Sequence, residues 1–524
     1  MILHRPRTML QIAALLVTAL AAALIGAHLV FRPPSLEGRT ESAAVEATAA
    51  TRLGRIALTP PEPHAGDSGV VPLIDGRDAF AARIALIRAA EVALDVQYYI
   101  WQRDAAGLLL LDELRRAADR GVRVRLLLDD NGIRGLDGDL AALDAMPGFE
   151  VRLFNPFILR SPKVLGYAFD FFRLNRRMHN KSLTADGAAT ILGGRNVGDI
   201  YFGFGEGLRY IDTDVLVTGK AAADVGADFD RYWASGSAYP AARILPPANP
   251  EALRRLIADA AAVTSSTEGR SYLERLRQAN IVAEIAAGAV AFEWTRVTLV
   301  SDDPAKGLGK ARLGDLLFPQ LMALLSRPER SVDLVSAYFV PGRQFTERLA
   351  KLARSGTRVR ILTNSLDATD VTIVHSAYVK YRPELLQAGV ELYELKPAFV
   401  TDPREERAST TGSSRASLHS KTLAVDGNAI FIGSFNFDPR SFALNTEMGV
   451  VIESPRLAGG LARAFDAAFP GASYRPVLAG DGSLVWEEPT ADGHVVRHEH
   501  EPGATLASRI LFRLLGLLPI EWLL

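Results

Sequence analysis

Two stretches decide how this chain is read: 178–196, MHNKSLTADGAATILGGRN, and 418–436, LHSKTLAVDGNAIFIGSFN. Each carries a histidine and a lysine two positions apart, His179/Lys181 and His419/Lys421. An aspartate (Asp186, Asp426), a Gly-Gly or Gly-Ser pair and an asparagine (Asn196, Asn436) follow. The histidines stand 240 positions apart, 179 to 419, and the other members repeat at the same interval. A single His-x-Lys has no diagnostic value, because it serves equally well as charge on an exposed strand edge. Two six-position patterns in one register read as a duplication.

The flanks repeat as well. In the first half Asp78 to Ala90 has helical apolar spacing, Val92–Ile100 reads as a strand, Leu108–Arg120 as a helix and Val122–Leu128 as a strand followed by Asp129 and Asp130. In the second half Asp315–Leu325 reads as helix, Val332–Val340 as strand, Phe345–Ser355 as helix and Val359–Thr363 as strand. Matching Val92, Leu94 and Tyr98 to Val332, Leu334 and Tyr338 gives the interval of 240 again. The β-α-β rhythm predicts an α/β layer fold in two homologous domains, 70–245 and 246–480, with 481–524 as a C-terminal hairpin and amphipathic segment.

In a strand, residues two apart project from one face, so His and Lys of each motif point together. Two such strands side by side place two imidazoles and two ammonium groups in one pocket. That set suits displacement at phosphorus: lysines and asparagine amides hold the non-bridging oxygens, one neutral histidine attacks, and the other, protonated, donates to the leaving alkoxide.

Composition narrows the class. The 524 residues are 48% hydrophobic and 23% charged, as in a folded protein. Lys+Arg 59 against Asp+Glu 60 gives a formal charge of -1 and no global field to gather a polyanion. With Cys 0, disulfides, thiolate metal sites and a cysteine nucleophile are excluded. The tract His494–His500 is a candidate metal patch or part of a β-hairpin, and His375 stands alone. Catalysis is expected without a metal or cofactor. Asp129 and Asp130 are read as turn or helix caps rather than catalytic groups.

From Met9 to Val30 the sequence is almost wholly apolar, between Arg5/Arg7 and Arg32-Pro33-Pro34. About 20 such residues span a bilayer as a helix. Residues 1–34 are therefore read as a membrane anchor, with a cleaved signal as the alternative, and Arg5 and Arg7 favour the body outside. Residues 35–69, rich in Pro, Ala, Ser, Thr and Glu, read as a linker. Two further segments suit a headgroup boundary: Phe169, Phe171, Phe172 and Leu174 among Arg173, Arg176 and Arg177, and Leu506–Leu524 with Arg509, Arg513 and Trp522.

Both motifs match the signature H-x-K-x4-D-x6-G-[GS]-x-N in full, and the chain resembles the phospholipase D superfamily. The resemblance implies two α/β/α sandwich domains with mixed central sheets forming one shared active site. It assigns His179 as nucleophile, His419 as general acid/base, and Lys181, Lys421, Asn196 and Asn436 as phosphate holders. Asp186 and Asp426 belong to the catalytic motif but are structural in such motifs. Asp212 and Glu447 match the acids that orient the histidines, with the crossed pairing Glu447 to His179 and Asp212 to His419. Asp214 competes with Asp212 for that role.

Within the superfamily the chain is similar to bacterial cardiolipin synthases over residues 70–524, through FFRLNRRMHNK, GGRNVGDIY, DTDVLVTG, FNFDPRSFALNTEMG and the end LLPIEWLL. This implies a bacterial inner-membrane phosphatidyltransferase, its body on the periplasmic side. Phosphatidylglycerol and a second phospholipid would be its substrates, and nucleic acid is not expected. A phospholipase D that hydrolyses to phosphatidic acid is the alternative, and a tethered nuclease a lesser one.

Overall fold

A computed structural model describes residues 6–205, 209–325, 328–397, 416–490, 492–505 and 521. Among them the first half builds a nine-stranded sheet and the second a ten-stranded one. At the centre of the first lies Ala93–Ile100, parallel to Arg123–Gly132, which pairs in turn with Phe149–Phe154. On its other side it runs antiparallel to Ser182–Ala185, followed by Ala189–Gly193, Asp214–Gly219 and Ser68–Leu73. Ser331–Ser336 takes the same place in the second half, parallel to Arg358–Asn364 and antiparallel to Lys421–Val425. The parallel pairs need crossovers, which the helices Ala105–Asp119 and Gly342–Arg354 supply.

The motif's Asp-Gly dipeptide is a hairpin turn. Asp186 and Gly187 sit at φ of 53° and 63°, Asp426 and Gly427 at 54° and 66°. Consecutive left-handed residues match the twist of the strands they join, and Asp-Gly adopts them at least cost. The Asp186 carboxylate then accepts from the backbone N–H of Glu91, Val92 and Ala93, and Asp426 from those of Glu329, Arg330 and Ser331.

Those contacts correct the expected register. Leu94 faces Ala185, but it is Val332, not Leu334, that faces Val425. Since Ala185 and Val425 are 240 apart, the counterpart of Leu94 lies 238 positions on (94 to 332). A slip of two residues keeps every side chain on its face, so alternation cannot reveal it.

The boundary at 245/246 is also replaced. The helices Pro250–Ser265 and Thr267–Arg277 bury Leu256, Tyr272 and Leu276 in the first domain's core, and Glu293–Thr295 pairs with Ser68–Leu73. The second sheet begins at Val297–Ser301, which pairs with Met448–Ile452. Residues 35–69 are not a free linker either. Thr40 O and Ser42 O accept from the buried Arg152 and Arg125, and the helix Arg52–Leu58 buries Leu53 and Ala57. Their lack of sustained periodicity hid this docking, which combines backbone carbonyls with the small apolar face of Leu53 and Ala57.

The two sheets pack face to face. Val70, Leu192, Val215 and Val217 of the first interdigitate with Ala424, Ile430, Ile432, Val450 and Ile452 of the second. Apolar faces on both halves thereby bring the motif strands together.

The helix Pro6–Val30 contains a 21-residue stretch, Leu10–Val30, of mean hydropathy 2.2, long and apolar enough to cross a membrane. Its end rests on the segment 167–174, with Phe31 stacked on Phe169 at 5.3 Å. Leu506–Leu524 lies outside the described residues apart from Glu521, which accepts from Tyr381 Oη at 2.9 Å.

Candidate active site

Backbone bonds to the opposite half place both motif histidines. His179 N–H donates to Thr446 O at 2.8 Å, and Thr446 N–H to Arg177 O at 2.9 Å. Ala416–Leu418 runs parallel to Arg209–Ile211, and the N–H groups of His419 and Ser420 both donate to Ile211 O. One residue beyond each contact the partner segment presents an acid, Glu447 after Thr446 and Asp212 after Ile211. His179 Nδ1 lies 2.8 Å from Glu447 Oε2, and His419 Nδ1 lies 2.5 Å from Asp212 Oδ2. The acid-bearing segments are exchanged between domains, so neither half holds a complete site.

All four groups are buried, as are Lys181 and Lys421. Burial chiefly pushes the His179 imidazole down to about 4, against the pull of Glu447. His419 is held well below its ordinary range by burial, then by the charges of Lys421 and Lys181, and lies near enough to His179 to feel its charge too. Both lysines are lowered, first by burial. Each lysine is tied to the carbonyl of its own histidine, Lys181 Nζ at 2.6 Å from His179 O. Lys181 and Lys421 thus set positive charge beside two imidazoles held in their neutral form, and an anionic group bound there would relieve the repulsion that helps to lower both imidazoles and Lys181.

The two carboxylates differ. Glu447 accepts from the hydroxyls of Ser434 and Ser441 at 2.5 and 2.8 Å and is held below the ordinary carboxylate range. Although burial opposes this, His179 and Lys181 outweigh it. Asp212 has one backbone donor, Thr213 N–H, and burial raises it. At the place of Ser434 the first half has Gly194, where a Cβ would stand 2.1 Å from Asp212 Oδ1. The Gly-Gly and Gly-Ser difference between the motifs was therefore a readable sign of unequal carboxylates.

Asp214 lies apart from His419, bonded to Arg83 at 2.8 Å and to Arg195. Asp186 and Asp426 sit at the turn ends of strands whose other ends carry Lys181 and Lys421, and they clasp backbone as described above. Asn196 accepts from Ile100 N–H and donates to Tyr201 Oη at 3.0 Å, which leaves one amide hydrogen; Asn436 is buried. Asp129 accepts from Arg177 and from Met178 N–H, and Asp130 from Arg160 and Lys163, so this pair fixes the approach to His179. His375 is a core residue bonded to Glu501 at 2.6 Å. His494 and His498 lie on or beside the edge hairpin, and no group of three metal-ligating side chains occurs among the described residues.

Sequence reasoning missed the aromatic walls. The Tyr99 ring lies 5.0 Å from that of His179, and Tyr210 and Tyr201 lie 4.9 and 5.3 Å from His419. Tyr98-Tyr99 was legible only as strand-forming residues, and Tyr201 and Tyr210 lie outside the motif.

The family model for "Cardiolipin synthase, PLD-like domain" matches residues 84–233 and 321–469, one match in each half. The chain is 45% identical to cardiolipin synthase C of Escherichia coli (strain K12) over 473 residues, 90% of this chain and 100% of that one. It belongs to the phospholipase D superfamily, in the cardiolipin synthase branch. A cardiolipin synthase of Staphylococcus aureus (strain Mu50) is 28% identical over 392 residues, 75% of this chain and 65% of that one. Phosphatidylserine synthase of Haemophilus influenzae Rd KW20 shares the fold, with a TM-score of 0.52 at 15% identity, covering 87% of this chain and 95% of that structure. The family match thus falls once in each half, and the structural likeness spans most of the chain.

Proposed function

We propose that this chain is a cardiolipin synthase-type phosphatidyltransferase that works through a phosphohistidine. The observation that carries the reading is the crossed arrangement of His179–Glu447 and His419–Asp212 in one buried site. Full-length similarity to cardiolipin synthase C supports the choice of substrate.

His179, neutral, carries its proton on Nδ1 toward Glu447 and turns the Nε2 lone pair to phosphorus. Nε2 attacks the phosphodiester of phosphatidylglycerol, the P–O bond to the glycerol headgroup breaks, and His419 donates a proton to the departing alkoxide. The phosphorylated ring is cationic and Glu447 balances its charge. A hydroxyl of a second phospholipid then gives its proton back to His419 and attacks phosphorus, the P–N bond breaks, and His179 is regenerated. Lys181 and Lys421 hold the non-bridging oxygens throughout.

The lowered His419 explains why the acid form waits for substrate. A bound phosphodiester sets a negative charge against the lysines that now repel the proton, and the short contact to Asp212 supplies a partner for the imidazolium. We place the body on the periplasmic face of the inner membrane, anchored by the helix Pro6–Val30, with Val164, Leu165 and Phe172 set into the headgroup boundary. Expression in cells devoid of cardiolipin tests the reading. Wild type should restore cardiolipin, while His179→Ala and His419→Ala should not. Phosphatidic acid without cardiolipin would make the chain a hydrolase.

A further inference from the structure

Asp370, in the loop after the strand Arg358–Asn364, belongs to no motif and touches none of the reacting groups, though its charge favours the protonated forms of His419 and Lys421. Its carboxylate accepts from two phenols of different halves, Tyr210 Oη at 2.7 Å and Tyr338 Oη at 2.8 Å. Tyr210 lies on the exchanged strand Arg209–Ile211, two residues before Asp212, with its ring against His419. Tyr338 follows the central strand of the second sheet. The carboxylate is exposed and both rings are half-buried, so the three residues form part of the site's outer wall on the His419 side.

The His179 side has a weaker equivalent. There Asn131, inside the strand Arg123–Gly132 where its pairing with Ala93–Ile100 is irregular, donates to Tyr99 Oη at 3.3 Å and accepts from Tyr167 Oη at 3.4 Å. A neutral amide with long bonds holds the wall where the phosphoryl group is loaded. A carboxylate with short, charge-assisted bonds holds it where the acceptor must arrive. The difference falls on the side where water and a lipid hydroxyl compete for one intermediate.

We infer that Asp370 is a positioning residue that clamps Tyr210 and Tyr338 over the His419 side, keeping water from the phosphohistidine and thereby favouring transfer over hydrolysis. The inference rests on the phosphatidyltransferase reading. With the clamp open, water enters, gives its proton to His419 and takes the phosphatidyl group from His179 as phosphatidic acid. Covalent chemistry on the His179 side is unaltered.

The test uses full-length protein in vesicles containing phosphatidylglycerol, in water labelled with heavy oxygen. Label in phosphatidic acid is compared with cardiolipin formed. Tyr338→Phe should raise the ratio of labelled phosphatidic acid to cardiolipin about tenfold, what one lost hydrogen bond to a charged group corresponds to, and Asp370→Ala, which loses the bonds to both tyrosines, should raise it further. Asp370→Asn, which keeps one acceptor, should fall between. Asn131→Ala should leave the ratio near wild type. An unchanged ratio in both Asp370→Ala and Tyr338→Phe, whatever their total turnover, overturns the clamp while leaving the transferase reading intact. Wild type that yields labelled phosphatidic acid alone overturns both.

Discussion

Replacing Glu447 with glutamine isolates a charge without moving an atom. Oε2 of Glu447 accepts from His179 Nδ1 and Ser434 Oγ, while Oε1 accepts from Ser441 Oγ alone. A glutamine oxygen in the first position keeps the imidazole tautomer, and its amide faces a hydroxyl that can turn to accept. The loss is then the attraction between a carboxylate and the cationic phosphohistidine ring. At this separation and an effective dielectric near 20 the attraction is on the order of 4 kcal/mol. That lowers the rate of phosphohistidine formation about a thousandfold. A phosphatidyl donor with a nitrophenolate leaving group, which needs no proton from His419, gives the rate directly as the burst of released chromophore in rapid mixing. Glu447→Gln should show a slow burst and His419→Ala a near-normal burst with no second turnover. A Glu447→Gln burst within about tenfold of wild type would refute the role of the charge.

Acid stability follows from the same burial. His179 titrates at about 4 in the folded chain and near 6.5 when exposed, so between those values the unfolded chain binds the extra proton. Stability is fully present above about 6.5 and is lost as pH falls toward 4, by about 2 kcal/mol on reaching pH 5. His419 adds in the same direction. Melting temperatures of wild type and His179→Asn from pH 7 to 5 should converge, and parallel curves would refute the assignment. Asp186→Ala leaves three backbone N–H groups without their acceptor and puts alanine at φ 53°, so it should cost about 3 kcal/mol in urea unfolding. Asp426→Ala, less buried, should cost about half as much. Joint replacement of Val164, Leu165 and Phe172 by serine, 67%, 53% and 76% exposed, should raise the apparent KM for vesicle phosphatidylglycerol at least about tenfold. It should leave turnover of a dispersed short-chain donor unchanged, and an unaltered KM would remove these residues from the membrane contact.

The residues proposed to do the chemistry were legible because the chain states them twice. A His-x-Lys in alternation, an Asp-Gly hairpin turn and the same spacing 240 residues on are local properties. Local properties survive into the fold, because strand alternation and turn conformation depend on near neighbours. The carboxylate partners were legible only as candidates. Asp212 and Asp214 are two apart and by alternation alone would share a face, so nothing local separates them. The parallel pairing of Arg209–Ile211 with Ala416–Leu418 turns Asp212 to His419 and leaves Asp214 to Arg83 and Arg195. The offset of 238 in the central strand, the helices of 250–287 on the first domain and the strap of 35–69 were hidden for the same reason. Each is fixed by which surface a segment meets, and segments of equal alternation or polarity meet different surfaces without any change in their own sequence. Asp370 is the extreme case: its neighbours in sequence say nothing, and its meaning arises only where two tyrosines, 128 residues apart (210 to 338), are packed onto one carboxylate.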